Sequence, residues 1–271
     1  MYWCAYGTPG APRLLVLHGG PGADHAYLLP QMLELASDFE LIFYDQRGGG
    51  RSKETVPTKI TWETHVADLG RVAAEFSLEP LTLVGYSWGG LLALLYSIAA
   101  AAAAFPRSPS KLALIDPAPI SLAHRAAFET EFARRQQGPA IQRMRAELAA
   151  SGLKESDPEA YRQRAFEVSV AGYFANPANA TDLTPFRVVG RVQQSVWASL
   201  GDFDLSAGLE SVHCPALVVH GRQDPIPMAS SESIAKALNC ELVALEDCGH
   251  VPYVEQPEKL FAALIEFLRS T

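Results

Sequence analysis

Short, almost wholly apolar runs recur along this chain, and a longer helical pattern separates each from the next. Residues 14–17, 41–44, 81–84 and 112–115 are such runs in the first half, and 216–220 and 242–245 repeat them near the end. A strand buried on both faces carries apolar side chains continuously rather than alternately, so these runs predict a mostly parallel sheet. The stretches between them supply the crossover helices that parallel strands require. Thr61 is placed to cap one such helix, with Val66, Leu69, Val72, Ala73 and Phe76 as its apolar stripe. Residues 28–36 have helical character, a helix starts at Gly89 or Gly90, and residues 230–238 and 257–268 close the series.

The alternation stops between about Ile120 and Leu205. That stretch holds charged helical segments, as at 128–137, 141–150 and 158–170, followed by pieces divided by Pro177, Pro185 and glycines. The expected organisation is an α/β core formed by residues 1–119 and 206–271, with residues 120–205 inserted as a helical lid. A chain of 271 residues is long enough for one large core of this kind.

Composition narrows the partners. A formal net charge of −8 and the absence of a basic stripe argue against nucleic acid. Residues 91–105 are nearly all apolar, but this run is shorter than the roughly 18–20 residues a membrane span needs, and a buried helix accounts for it. No secretion signal is apparent, and Cys4, Cys214, Cys240 and Cys248 have no metal-binding or redox spacing. Free, mostly buried thiols and a cytoplasmic setting are expected, with no membrane partner. The sequence leaves the oligomeric state open.

The chemistry concentrates in Gly85-Tyr86-Ser87-Trp88-Gly89, between a predicted strand and a predicted helix. In that context a serine sits on a tight turn that lifts its hydroxyl above the sheet edge, at the free N–H groups of a helix start. A serine hydroxyl needs a base to act as a nucleophile. Of seven histidines, His250 follows the last predicted strand and so lies on the side where ligands gather over an open parallel sheet. His18 and His220 end strands and read as structural, and His65 lies in a helical pattern. The base in turn needs a carboxylate. Asp224, beyond the strand ending at His220, gives the chain order serine, aspartate, histidine; Asp116, which also follows a strand, is its rival. The backbone N–H of Trp88 and one from the loop His18-Gly19-Gly20-Pro21-Gly22, best that of Gly20, are the expected oxyanion donors. No metal-ligand spacing or phosphate loop stands out, and no cofactor is expected.

Together with Asp45-Gln46-Arg47-Gly48-Gly49-Gly50-Arg51-Ser52, these motifs resemble the proline iminopeptidase branch of the α/β-hydrolase superfamily. Gly221-Arg222-Gln223-Asp224 and Gly249-His250 fit the superfamily at large, whereas the lid is poorly matched. The resemblance implies an α/β-hydrolase fold and acyl transfer through Ser87, His250 and Asp224. It also implies an oxyanion hole at Gly20 and Trp88, and supporting roles for Asp45 and Arg47. Family peptidases hold the substrate's amino terminus with lid carboxylates, and here Glu129, Glu131, Glu147, Glu155, Glu159 and Glu167 are the candidates. A proline iminopeptidase-like aminopeptidase is the leading expectation. A carboxylesterase or lactonase on small apolar substrates is the alternative, and a ligand receptor retaining the fold is a remote one. The expected partner is a small ester, lactone or short peptide.

Overall fold

The computed structural model describes residues 1–53 and 59–270. Seven strands form one sheet: β1 (Trp3–Tyr6), β2 (Arg13–Leu17), β3 (Glu40–Tyr44), β4 (Leu81–Tyr86), β5 (Pro109–Ile115), β6 (Ala216–Gly221) and β7 (Glu241–Leu245). Their order is β1-β3-β2-β4-β5-β6-β7, and only the β1–β3 pair is antiparallel. The expected mostly parallel sheet flanked by helices is therefore borne out. The sequence reading did not place β1, a four-residue, largely exposed edge strand that no burial requirement marks out.

The helices of eight or more residues among the described residues are α1 (Trp62–Glu75), α2 (Trp88–Ala101), α3 (Leu122–Gln136), α4 (Pro139–Ala150), α5 (Pro158–Val170), α6 (Gly190–Leu200), α7 (Met228–Leu238) and α8 (Pro257–Arg269). Thr61 does cap α1: its side chain accepts from Thr64 N–H while the Thr64 side chain accepts from Thr61 N–H. The helical character of residues 28–36 is realised only as short turns, Leu29–Met32 and Leu33–Ser37.

Successive strand residues point to opposite faces, so each continuous apolar run feeds two cores. Leu15, Leu17, Leu83, Leu112, Leu114 and Val218 pack with α1, α2 and α7 on one face. Leu14, Val16, Val84, Ala113, Ile115 and Val219 pack with α8 on the other. Helix α2 lies so deep that eleven of its fourteen residues are buried. Between β5 and β6 the described chain contains α3 to α6 and shorter helical turns, tied across their base by a bridge between Ser121 and Asp204.

The strand order places the site. From β2 the chain crosses to β3 on one side, then returns to β4 on the other, so β2 and β4 are neighbours whose connections leave in opposite directions. A crevice opens at the carboxyl ends of strands where the winding reverses in this way. The loop after β2 carries Gly20, and the turn after β4 carries Ser87.

Candidate active site

Ser87 lies between β4 and α2 with φ 53° and ψ −118°, a region that residues with a side chain seldom occupy. The neighbourhood forces it there. Ser87 N–H donates to Ile115 O at 2.9 Å, and Ser87 O accepts from the N–H groups of Gly90, Leu91 and Ala118. No side chain fits beside the turn: a Cβ at Gly89 would overlap the Leu17 carbonyl, and one at Gly85 would meet Gly89 O. The result is a hydroxyl held at the start of a buried helix.

The Ser87 Oγ lies 2.9 Å from His250 Nε2, and His250 Nδ1 lies 2.7 Å from Asp224 Oδ2. An ionised Asp224 accepts only, so beside it Nδ1 carries the proton and Nε2 presents its lone pair to the serine O–H. The second Asp224 oxygen accepts from Ile226 N–H at 2.7 Å. The His250 backbone is fixed as well: its N–H donates to Tyr173 O at 2.7 Å, and its carbonyl accepts from the Tyr86 hydroxyl at 2.8 Å. Glu255 accepts from Gly249 N–H and also from the N–H groups of Ala175 and Asn176, so one carboxylate joins the histidine loop to the helical insertion.

Burial pushes the His250 imidazole down to about 4, opposed by the nearby Asp116 carboxyl, so the ring is neutral at ordinary pH. Burial pushes Asp224 up to about 8, opposed by Asp116 and the Ile226 N–H. Asp116 is raised well above the carboxylate range, again by burial, with Asp224 adding to the effect. One oxygen of Asp116 accepts from Gly221 N–H at 2.8 Å; the other is buried without a partner. A ligand atom from each of Asp116, Asp224 and His250 comes within 4.8 Å of the others. A cation there would have to break the Asp224–His250 hydrogen bond. Both aspartates singled out in the sequence are thus beside the histidine, but Asp224 is the one bonded to it.

Gly20 and Trp88 line the same cavity as Ser87 and His250, and neither backbone N–H has an acceptor among the described residues. The Trp88 ring points away into the core, where Nε1 donates to Gln46 Oε1 at 2.8 Å. Gln46 also bonds His18 twice, through its N–H to Nε2 and its side chain to the carbonyl. Asp45 holds His25 and Arg51 N–H, and Arg47 makes a two-point pair with Asp68 at 2.7 and 2.6 Å. His220 bonds Ser231 and Ile226 O. His65 is buried beneath Arg47. Cys248 is buried, while the other three free cysteines are only half-buried.

Two lobes meet at Ser87. The larger, about 450 Å³, is lined by Arg125, Phe128, Glu129, Gln193, Gln194 and Trp197 beyond the serine. The smaller, about 90 Å³, is lined by Tyr27, Tyr86, Val170, Leu183, Phe186 and Tyr253 and, among the described residues, carries no acidic or basic side chain besides His250. Of the six glutamates named from the sequence, only Glu129 reaches either lobe. Glu131 pairs with Arg134 and Arg135, and Glu167 with Arg164. Phe174, next to Tyr173, lies in the core rather than in either lobe. Sequence reasoning missed Arg125, which looks like any solvated helix residue until α3 is seen to turn it toward Trp197 of α6.

With this geometry in view, the comparisons with known proteins fall into place. Residues 12–257 match the alpha/beta hydrolase fold family, and the chain belongs to it. It is a hydrolase, and within the family it is proline iminopeptidase-like. The proline iminopeptidase of Heyndrickxia coagulans is 26% identical, with 96% of this chain and 92% of that protein covered. A proline iminopeptidase of Mycobacterium smegmatis has a similar structure, with a TM-score of 0.68 at 22% identity and 98% and 93% coverage. An esterase of Exiguobacterium antarcticum superposes with a TM-score of 0.69 at 22% identity and 99% and 95% coverage. No helix among the described residues is long and apolar enough to cross a membrane.

Proposed function

We propose that the chain hydrolyses small esters or amides through an acyl-enzyme on Ser87, with His250 as base and Asp224 as its partner. The observation that carries this reading is the unbroken path from Ser87 Oγ through both ring nitrogens of His250 to Asp224. As Oγ attacks the carbonyl carbon, His250 Nε2 takes the hydroxyl proton, and Asp224 stabilises the imidazolium that results. The carbonyl oxygen becomes an oxyanion and accepts from the N–H groups of Gly20 and Trp88. The bond to the leaving group then breaks, and that group departs with the proton from His250. A water molecule repeats the attack on the acyl-enzyme, giving its proton to Nε2, and the acid leaves as Ser87 regains a proton. Each proton moved has a place on His250, so the cycle closes without a cofactor.

Residues 120–205 serve in this reading as the lid over the cleft, since Arg125, Phe128, Tyr173 and Trp197 come from them. Two substrate classes compete. The proline iminopeptidase relatives support removal of N-terminal proline. A carboxylesterase or lactonase is supported by a feature of the pocket itself: Glu129, the one lid glutamate reaching the site, is paired through one oxygen with Arg125 at 2.9 Å, and that guanidinium offsets the charge it could offer an amino terminus. The unpaired thiols support a reducing, cytoplasmic location.

A fluorophosphonate probe should label Ser87, and the label should vanish in Ser87→Ala. Folded protein that stays unlabelled at Ser87 would overturn the proposal. Release of 4-nitroaniline from proline 4-nitroanilide, compared with turnover of short 4-nitrophenyl esters, separates the two substrate classes.

A further inference from the structure

We infer that the larger lobe is built to receive a carboxylate on the substrate and that Arg125 is the residue that recognises it. This rests on Ser87 being the attacking group, since it concerns what lies across the cavity from that hydroxyl.

Arg125, Phe128 and Glu129 share one face of α3, at spacings of three and four residues. The Arg125 guanidinium lies over the Trp197 ring, 4.3 Å from its centroid. Its Nε–H donates to Glu129 Oε1 at 2.9 Å. The group is therefore fixed twice, by an aromatic face and by an ion pair, which reduces the rotamer freedom a ligand would otherwise have to freeze. A guanidinium has five N–H donors. Here only Nε–H has an acceptor among the described residues, so the paired Nη edge is unused. That edge matches a carboxylate with two parallel hydrogen bonds.

Exposure decides between the two charges. The Glu129 side chain is 57% exposed, whereas that of Arg125 is 26% exposed. The carboxylate is the outer, hydrated member of the pair and the guanidinium the inner one. An ammonium group would have to share the outer carboxylate of Glu129 with the like-charged Arg125 guanidinium beside it, while a carboxylate can take the unused Nη edge of the less exposed Arg125. No other lysine or arginine lines either lobe. The smaller lobe, with its tyrosines and aliphatic side chains, takes the apolar end of the molecule. The substrate class that fits is an ester or amide whose acyl or leaving portion ends in a carboxylate, such as a half-ester of a dicarboxylic acid.

Binding to Ser87→Ala protein, which retains the cavity but lacks the attacking group, tests this independently of turnover. The ligands are the monoanilide of glutaric acid and its neutral counterpart pentananilide, titrated by calorimetry. The acid should bind about tenfold or more tighter, the size expected for a charge-assisted hydrogen bond. Adding Arg125→Gln should abolish that preference, Arg125→Lys should keep part of it, and Glu129→Gln should increase it. Equal binding of the two anilides, or a preference that survives Arg125→Gln in folded protein, overturns the inference. So does tighter binding of proline anilide that Glu129→Gln removes, which would make Glu129 the recognising group. Failure of the acyl-serine reading would appear elsewhere, as absent fluorophosphonate labelling of the unmodified enzyme.

Discussion

Helices α2 and α3 are nearly equal in length, yet they are built on opposite principles. Helix α2 buries eleven of fourteen residues between the sheet and its neighbours, while α3 buries none of its fifteen. The first starts at Ser87 and is fixed by packing on every side. The second carries Arg125 and Glu129; its ion pairs run within the helix, and half-buried Phe128 and Phe132 rest against Tyr173. The difference teaches a division of labour. In the proposed function, reaction geometry is set where the core leaves no freedom, and substrate choice where substitutions cost the fold little.

Four measurements test this contrast between α2 and α3. The largest effect should come from Ser87→Ala, which should lower ester turnover by at least about a thousandfold while leaving the circular dichroism spectrum unchanged. Retained turnover would remove the chemistry from the α2 turn. Next, Asp224→Asn should cost about a thousandfold or more in kcat, because an amide holds the wrong His250 tautomer. Asp116→Asn should cost less than about tenfold, since Asp116 does not bond the ring; equal losses would show that the two aspartates act as one unit. Third, Leu92→Ala in the middle of α2 should destabilise the fold by about 2–5 kcal/mol in urea. Leu122→Ala, exposed at the start of α3, should stay within about 0.5 kcal/mol.

The smallest effect concerns pH. Burial lowers the His250 value from 6.5 to about 4, and the ring must be neutral to act as base. A pH–rate profile should therefore stay flat as pH falls past 6.5 and lose activity only near pH 4 to 5. An acid limb at 6.5 or above would mean that the charged ring is stabilised in the cleft more than burial opposes it. The same shift acts on stability. The unfolded chain takes up this proton more readily than the folded one, so the His250 contribution to stability is greatest above pH 6.5 and declines below it, whereas the raised Asp116 and Asp224 carboxyls act in the opposite direction. His65 and His220, also lowered to about 4 by burial, act in the same direction as His250.

The parts of the molecule legible in the sequence are those where burial leaves a pattern. Strands β2 to β7 were visible because a two-sided sheet demands apolar runs, and β1 was not, because an exposed edge strand is under no such demand. Ser87 was visible because the turn at β4 admits almost no side chains around it. His250 followed from its place after the last strand. Asp116 and Asp224 were harder to separate, since both follow strands on the same side of the sheet. Only three-dimensional placement gives Asp224 the 2.7 Å bond. Arg125 lay beyond sequence reasoning altogether. Helix α3 has no buried stripe to set its rotation, so nothing in the sequence tells which polar side chain it turns inward.

The bond from His250 N–H to Tyr173 O, reinforced by Glu255 across Gly249, Ala175 and Asn176, has a mechanical consequence. The Tyr173–Asn176 segment and the histidine loop form a single rigid joint. A rearrangement of the insertion that shifts this joint drags the imidazole away from Ser87, and one that leaves it in place must hinge elsewhere. In the proposed reading, the position of residues 120–205 over the cleft and the alignment of His250 are therefore not separate adjustments. They are geared together, through one main-chain bond that side-chain substitution leaves in place and through the Glu255 carboxylate, which a substitution would remove.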